Sequence, residues 1–452
     1  MGGALMQLVA YGAQDVFLTG TPEITFWKVS YRRHTNFAME SIEQTFSGQA
    51  DFGRRVTCTI SRNGDLAYRT YLQVTLPEIN QSMKGNEEAV YARWLDSIGE
   101  QLVAQVEVEI GGQRIDRQYG DWMHIWNQMT LSSEQQRGYN KMVGNTTQLT
   151  YITEPEFASV NGPCAASGGP SQVCAPRNAL PETTLYVPLQ FWFCRNPGLA
   201  LPLIALQYHE VKINLDLRPI GECLWAVTAL SDGKSVANAY QQSLVAASLY
   251  VDYIFLDTDE RRKMAQNPHE YLFEQLQFTG DESVGSSSNK IKLNFNHPCK
   301  ELVWVVQSDA NVDYCNSLVS GETLYKTLGA QPFNYTDAVD ALPNAVRAFG
   351  ADETSAFVSG GTFGDAEAHA VSAATLGNAG LSDAGTFVLA ETALDMHCWG
   401  ENPVVTAKLQ LNGQDRFSER EGSYFDVVQP FQHHTRAPDT GINVYSFALR
   451  PE

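Results

Sequence analysis

The sequence predicts an all-β protein built from two related antiparallel units in tandem. Strand-like segments of alternating apolar and polar residues recur along the chain, with no helical crossovers between them. Several of these segments occur twice, in the same order. The clearest is Val106–Tyr119, VEVEIGGQRIDRQY, which Ala407–Phe417, AKLQLNGQDRF, repeats with a strand, a tight turn and a Gln after the Gly. Repetition of several segments in one order indicates an internal duplication.

The other repeats keep the order of this hairpin and flank it. They pair Ala38–Gly48 with Leu272–Gly280, Val56–Ile60 with Ile291–Phe295, and Leu185–Val187 with Val444–Ser446. A chain of 452 residues suits two domains of about 200 residues each. The sequence therefore divides into an arm (1–27), a first unit (28–257), a linker (258–268) and a second unit (269–452).

Composition excludes several classes of protein. The net charge of −20 repels phosphate backbones, and no basic run offsets it locally, which argues against direct nucleic-acid binding. The longest apolar run, Leu199–Leu206, contains Pro202 and is too short for a membrane span. The first residues lack the features of a signal peptide, so synthesis in the cytosol is expected.

The cysteines indicate neither a disulfide framework nor a zinc ribbon. There are 8 in the chain, and none forms a CxxC pair. Cys164 and Cys174 share one Gly/Pro/Ser loop and are the candidate disulfide, although two free thiols are expected in a cytosolic product.

The arm is rich in apolar residues with no strong period. Such an arm is predicted to dock on a neighbouring molecule, and packing on its own first unit is the alternative.

Eight strands, mostly alternating, are predicted in the first unit, which indicates an antiparallel sandwich. They are Glu40–Phe46, Arg55–Ser61, Tyr68–Leu76, Val103–Ile110, Gln113–Gln118, Thr184–Phe193, Gln207–Leu217 and Ser248–Asp257. One helix is predicted over Tyr119–Met142, where Trp122, Ile125, Trp126 and Met129 have helical spacing. Its aromatic stripe is interpreted as a cap on the sandwich.

Six strands are predicted in the second unit, after a charged linker. They are Tyr271–Phe278, Lys290–Asn296, Leu302–Gln307, Val404–Leu411, Gln414–Phe417 and Asn443–Leu449. The insertion Ser308–Asn402 has a Gly/Ala/Ser-rich centre and is interpreted as a long surface loop. Counterparts of Gln207–Leu217 and Ser248–Asp257 do not follow Leu449. The second unit is therefore expected to lack its last two strands, either because the 452 residues are part of a longer polypeptide or because a partner donates the strands.

No complete catalytic, cofactor or metal constellation occurs, so neither an enzyme nor a cofactor is predicted. His209-Glu210 and His269-Glu270 lack the second His of a zincin motif, and His433-His434 is adjacent and interpreted as a solvated loop pair. Asp257–Glu260 lacks the Gly and closing Glu of a calcium hand.

Three Asn-x-Ser/Thr triplets lie in predicted loops. Asn80, Asn145 and Asn334 are the candidate glycosylation sites, provided that the protein meets a glycosyltransferase.

Six long segments closely resemble the major capsid proteins of nucleocytoplasmic large DNA viruses, above all those that infect algae. They are Leu8–Ile42, SRNGDL at Ser61–Leu66, IGGQRID at Ile110–Asp116, NPGLALPLIALQYHEVK at Asn196–Lys212, VDYIFLDT at Val251–Thr258 and LNGQDRF at Leu411–Phe417. The resemblance implies two tandem eight-stranded jelly rolls, a double jelly roll. It also implies a homotrimer that forms a pseudo-hexagonal capsomer in an icosahedral shell over an internal membrane.

This resemblance sets the remaining expectations. The partners would be other copies of the chain, neighbouring capsomers and, through the arm, minor capsid proteins at the inner face. The protein would reside in the virion, and outward loops would carry glycans, commonly outside ordinary sequons. A lectin-like carbohydrate-binding sandwich is the alternative, and a cupin-type enzyme is a distant third.

Overall fold

The computed structural model describes residues 12–28, 30–80, 90–150, 152–153, 179–228, 235–314, 330–337 and 400–452. The strands of the first unit are β1 (Phe37–Gln44), β2 (Arg55–Thr59), β3 (Leu66–Leu76), β4 (Tyr91–Trp94), β5 (Val103–Ile110), β6 (Gln113–Tyr119), β7 (Thr183–Pro188), β8 (Leu201–Pro202), β9 (Val211–Leu217), β10 (Leu224–Val227) and β11 (Ala246–Leu256). The helices up to the linker are α1 (Asp15–Thr19), α2 (Ile98–Leu102), α3 (Gly120–Thr130), α4 (Ser133–Val143), α5 (Thr147–Thr150), α6 (Trp192–Arg195) and α7 (Thr258–Gln266).

Two antiparallel sheets face each other in the first unit. One has the order β1-β11-β3-β7, with β8 beside β3, and the other has the order β2-β9-β5-β6. The late strands β9 and β11 lie between strands formed much earlier in the chain, which is the jelly-roll arrangement. Inward residues alternate with outward ones: on β3, for example, Leu72 and Val74 are buried while Tyr71 and Gln73 are partly exposed. The predicted sandwich is therefore confirmed.

Two predictions for the first unit need correction. The strand predicted over Thr184–Phe193 ends at Pro188, and Trp192–Arg195 forms a helical turn that places the aromatic rings in the core. The helix predicted over Tyr119–Met142 is two helices. The first ends at Thr130, and Ser132 caps the second, because its hydroxyl accepts a hydrogen bond from the N–H of Gln135 at 3.4 Å.

Short ladders replace long strands in the second unit. Its strands are β12 (Glu301–Trp304), β13 (Thr406–Ala407), β14 (Gln410–Leu411), β15 (Gln414–Asp415), β16 (Arg420–Glu421) and β17 (Asn443–Ser446). A π-helix at Tyr424–Val428 leads into α8 (Gln429–His433). β12 pairs with β17 as β3 pairs with β7, and the β14–β15 turn matches that of β5–β6, so the duplication is visible in the pairing.

The strands predicted at Tyr271–Phe278 and Lys290–Asn296 are wrong, since both segments run without strand pairing. The first unit supplies the reason. Their counterparts there are β1, which pairs with β11, and β2, which pairs with β9. No described segment of the second unit occupies the position of β9 or β11. Without a neighbouring strand to share backbone hydrogen bonds, a segment of alternating apolar and polar residues does not form a β-ladder.

The predicted linker and insertion also differ in part. Most of the linker is α7, which Asp257 caps through a hydrogen bond from the N–H of Thr258 at 2.5 Å. The insertion centre, 350–385, lies outside the described residues. Its described part at 330–337 is not a surface loop, because Phe333 and Tyr335 are buried against α3. Apolar side chains at this point of the insertion complete the contact between the two units.

Candidate functional site: the seam between the two units

The two units meet along a surface that we call the seam, formed by α3 and α6 of the first unit and by segments of the second. Trp126 and Met129 on α3 cluster with Phe333 and Val444 of the second unit. The aromatic stripe of this helix therefore covers the second unit rather than serving simply as a cap on its own sandwich. Burial of this aromatic cluster supplies the hydrophobic part of the contact.

A buried polar network lies beneath the cluster. Glu100 on α2 is fully buried, and its Oε2 lies 2.6 Å from His124 Nδ1. The hydroxyl of Tyr139 donates to Glu100 Oε1, and Asn127 Nδ2 donates to the same oxygen at 3.2 Å. Every group in this network has a partner, as burial requires. The network fixes α2, α3 and α4 relative to one another.

The network reaches the second unit through His124. Its ring stacks on that of Phe333, with centroids 4.2 Å apart. Burial by itself lowers the pKa of His124, but the charge of Glu100 and its hydrogen bond more than offset this, so the pKa is raised. An imidazole paired with a buried carboxylate therefore lies directly under the seam.

Aromatic and cationic contacts extend the seam toward α6. The guanidinium of Arg195 lies 4.0 Å from the ring centroid of Trp126, within cation–π range, and its Nη1 lies 3.6 Å from Glu274 of the second unit. Trp192 stacks on Phe273 at 4.6 Å. Phe273 belongs to a predicted strand of the second unit, and the structure uses it to cover the aromatic core of the first.

The same segment lies along β6, the last strand of its sheet. The Leu276 N–H donates to Asp116 Oδ1 at 3.3 Å, and the Gln275 side chain donates to the backbone oxygen of Ile115. Burial raises the pKa of Asp116 to about 6, although hydrogen bonds from Leu276 and Gln118 oppose the increase. Gln275–Phe278 thus shields an exposed sheet edge without extending the ladder.

A cleft of about 370 Å³ opens between β6 and the second unit. Its lining is polar and comes from three segments: Arg114–Arg117 with Tyr119, Gln275–Thr279, and Asn294–His297. Both arginines are already paired with the buried carboxylate of Glu107, Arg114 at 3.5 Å and Arg117 at 2.5 Å. The cleft is therefore a polar gap between the units whose arginines are already paired within the first unit.

One of the candidate histidines is placed differently from the prediction. The side chain of His434 is buried, with Nε2 2.8 Å from Glu301 Oε2 and Nδ1 3.1 Å from Glu452 Oε1. Burial lowers its pKa, but the hydrogen bond and charge of Glu301 more than offset this and raise it. The interpretation of His434 as a solvated loop residue is wrong, because it ties β12 to the end of the described chain. His209 and His269 remain exposed.

The candidate modification sites fall into two groups. Asn80 and Asn145 are partly exposed. Asn334 is buried, its amide donates to Gln331 Oε1 at 2.8 Å, and its oxygen accepts from the Thr336 hydroxyl, which argues against a glycan there. Cys164 and Cys174 lie outside the described residues.

Two features are absent from the described residues. No group of three or more His, Cys, Asp or Glu side chains in this part of the chain could hold a metal ion. None of the described helices is both long and apolar enough to cross a membrane.

Comparison with known proteins identifies the family. The family model described as "Major capsid protein N-terminus" matches residues 25–257, and "Large eukaryotic DNA virus major capsid protein" matches residues 260–452. The major capsid protein of Phaeocystis pouchetii virus is 76% identical over 465 residues, which cover 100% of this chain and 89% of that protein. The chain belongs to the major capsid proteins of large eukaryotic DNA viruses. This is a family of structural virion proteins, not of enzymes.

Relatives with solved structures show the same architecture. The major capsid protein of Paramecium bursaria Chlorella virus 1 is 37% identical over 100% of this chain and 82% of its own length. A quasi-atomic model of that virus's capsid matches with a TM-score of 0.60 at 33% identity, covering 94% of this chain and 81% of the other. The Faustovirus major capsid protein, at 12% identity, shares the fold with a TM-score of 0.55 over 100% of this chain and 89% of its own. The double jelly-roll prediction is confirmed.

Proposed function

We propose that this major capsid protein forms a homotrimer, that the trimer is a pseudo-hexagonal capsomer, and that such capsomers tile an icosahedral shell. The supporting observation is the repeated pairing of β3 with β7 and of β12 with β17 on the two units of one chain. Three chains that each carry two similar units present six similar walls, so a trimer can occupy a six-neighbour lattice position.

The seam supports this proposal mechanically. A capsomer transmits load between neighbours, and its two units must hold a constant relative position. The apolar cluster around Trp126, which the His124–Phe333 stack extends, and the Gln275–Phe278 edge contact join the units at two separate places. Contacts spread over a surface resist rotation in a way that a single flexible linker does not.

The arm is proposed to contact minor capsid proteins at the inner face of the shell. Its large apolar side chains are open to solvent in the described chain, with Phe17 93%, Phe26 100% and Trp27 84% exposed. Exposed aromatic residues on an extended segment are typical of a surface that becomes buried on assembly.

Size-exclusion chromatography with light scattering tests the proposal. The expected result is a trimer at micromolar concentration. Electron micrographs of purified virus particles should show capsomers formed by this chain. A monomer under these conditions would contradict the trimer. A glycan array run on the same sample distinguishes the lectin alternative, which requires sugar binding that the shell subunit does not.

A further inference from the structure

A buried histidine fastens the last described residues to the second unit. The side chain of His434, at the end of α8, is fully buried between two carboxylates. Its Nε2 lies 2.8 Å from Glu301 Oε2 on β12, and its Nδ1 lies 3.1 Å from Glu452 Oε1. We call these three side chains the clasp, and residues 447–452, which follow β17, the strap. The clasp joins α8, β12 and the strap at one point.

Both contacts of the clasp require a ring proton. Ionised carboxylates accept hydrogen bonds but do not donate them, so each ring nitrogen of His434 must donate to its carboxylate. Neutral imidazole has one N–H and one bare nitrogen, whereas the charged ring has two N–H groups. The clasp is therefore complete only when the ring is charged, and the neutral ring leaves one nitrogen lone pair facing a carboxylate.

The strap has further contacts with the second unit. The N–H of Phe447 donates to the backbone oxygen of Lys300 at 2.8 Å, and the Lys300 ammonium donates to the backbone oxygen of Pro451 at 3.2 Å. Glu452 also accepts from the N–H of Thr435 at 2.8 Å and from its hydroxyl at 2.7 Å. These contacts bring the carboxylate of Glu452 back to the residue that follows the histidine of the clasp.

The same turn of the chain reaches the first unit through Arg436. Its Nε donates to the backbone oxygen of Gln128 at 3.0 Å, and its backbone N–H donates to that of Met129 at 3.0 Å. Both carbonyls belong to the last turn of α3, where a helix has no donors of its own for them. Residues 434–436 thus hold the strap and β12 on one side and the end of α3 on the other.

The two carboxylates of the clasp depend on one cationic partner. Among the residues that the structure describes, Glu301 and Glu452 form ion pairs with His434 alone. The Glu452 side chain is 26% exposed and that of Glu301 is 10% exposed, so water reaches the Glu452 contact more easily. The other charged or titratable groups near the clasp are His433, Lys300, Glu274, Arg436, Arg450 and Arg195. A neutral His434 therefore leaves Glu452 with the neutral groups of Thr435 as its partners.

We propose that the clasp is a proton-dependent fastening that holds the strap to the second unit and, through Arg436, steadies the contact with α3. When the ring of His434 gives up one proton to solvent, its bare Nδ1 faces the Glu452 carboxylate, so this contact opens and the strap loosens. Thr435 and Arg436 then lose part of their protection, because they lie between the strap and α3.

The surroundings of His434 give the direction of this pH response. Burial alone lowers the pKa of His434, but the hydrogen bonds and charges of Glu301 and Glu452 outweigh burial and raise it above 6.5. The stabilisation is therefore complete below pH 6.5 and is lost as the pH rises through the folded pKa. The clasp is fastened in acid and opens in base.

Hydrogen–deuterium exchange of the full chain, followed by mass spectrometry from pH 6 to pH 9.5, tests the clasp. Labelling times are scaled to cancel the intrinsic effect of pH on exchange. The reporter amides are those of Thr435 and Arg436, which donate to Glu452 and Met129. Their protection should fall by about tenfold or more as the pH rises. Protection that stays constant over the whole range would overturn the proposal. All of these contacts lie within one chain, so the test is independent of the proposed trimer.

A conservative variant separates the clasp from other titrating groups. In Glu301→Gln the side-chain amide can donate to a bare Nε2 of His434, while the neutral ring still donates from Nδ1 to Glu452. The clasp is then complete without the extra proton, so the protection of the two reporter amides should vary by less than about twofold over the same pH range. Glu282→Gln, which removes the same charge from an exposed site in the second unit, is the control and should behave as the wild type.

The two variants also define the contrary results. A loss of protection in Glu301→Gln as large as that of the wild type would assign the response to another group and contradict the clasp. A flat profile for Glu282→Gln would contradict it as well, because net charge would then control the response. Circular dichroism at pH 6 shows whether each variant is folded, and the wild-type series decides the proposal without either variant.

Discussion

The two units carry related sequences, yet only the first has an interlocked pair of sheets among the described residues. In the first unit β11 lies between β1 and β3, and β9 lies between β2 and β5. In the second, the counterparts of β1 and β2 run as exposed segments, with Leu272 92% and Ile291 48% exposed. Alternation in sequence defines which side chains can share a face, but a strand forms where another strand supplies hydrogen bonds.

The largest expected difference concerns one apolar position in each unit. Val251 on β11 is fully buried between β1 and β3, whereas Ile291 is half exposed. Val251→Asp should cost more than about 5 kcal/mol and unfold the first unit, because it places an unpaired charge in the core. Ile291→Asp should change the free energy of unfolding by less than about 0.5 kcal/mol. Urea titration followed by tryptophan fluorescence measures both, and equal losses would show that the second unit buries Ile291 as a core residue.

The buried carboxylates of the two units should also differ. Glu100→Ala leaves His124, Tyr139 and Asn127 without their shared acceptor and should cost about 3–5 kcal/mol. Glu301→Ala should cost about 1.5–3 kcal/mol, because His434 keeps Glu452 as a partner. Thermal unfolding of both variants gives the comparison. A greater loss for Glu301→Ala would place the more important ion pair in the second unit.

The sequence predicts only part of the seam. The helical spacing of Trp126 and Met129 was visible, but the surface they cover is set by Phe333, which lies far along the chain inside a predicted loop. Likewise, Glu100 and His124 are ordinary residues in the sequence, and only the packing of α2 on α3 makes them a buried pair. The one available signal was the presence of Phe333 and Tyr335 at the start of an otherwise small-residue insertion.

Acidification should strengthen the seam through Asp116. Its pKa rises from 3.8 to about 6 on folding, so the folded chain binds more protons than the unfolded chain between these values, and stability falls as the pH rises through this window. Asp116→Asn removes this penalty and keeps an oxygen that can accept from Leu276. Above pH 6 it should stabilise the protein by up to about 3 kcal/mol. His124 acts in the same direction: its raised pKa gives a contribution that is complete below pH 6.5 and is lost as the pH rises through the folded value.

Melting temperatures of the wild type and Asp116→Asn from pH 4 to pH 8 test this. The two curves should be close at the acid end and separate as the pH rises. Parallel curves would show that Asp116 stays ionised in the folded chain throughout the range.

The smallest expected effect concerns the repeated turn, where the units should agree. Gly112 and Gly413 have φ values of 83° and 82°, and no atom lies near the position where a Cβ would be added. Gly112→Ala and Gly413→Ala should therefore each cost about 1 kcal/mol through backbone strain alone. Chemical denaturation of both variants measures this, and a much larger cost at one turn would reveal a packing role that the other lacks.

The strand predictions agree with the structure better in the first unit than in the second. The eight strands predicted in the first unit all form to within a few residues of the predicted bounds, except that β7 ends early at Pro188, before the aromatic turn. Three further strands, β4, β8 and β10, were not predicted. Tyr271–Phe278 and Lys290–Asn296 have the right alternation but failed as strands, because periodicity describes a segment and not its neighbour. The expectation that two further strands complete the second unit stays a prediction.

Hydrogen–deuterium exchange of the 452-residue chain tests the contrast between the units most directly. The amides of β1 and β2 should exchange slowly, because each strand pairs with a closing strand of its own sheet. The amides of Tyr271–Phe278 and Lys290–Asn296 should exchange fast, since neither segment takes part in a strand ladder. Equal protection of the matched segments in the two units would contradict the account.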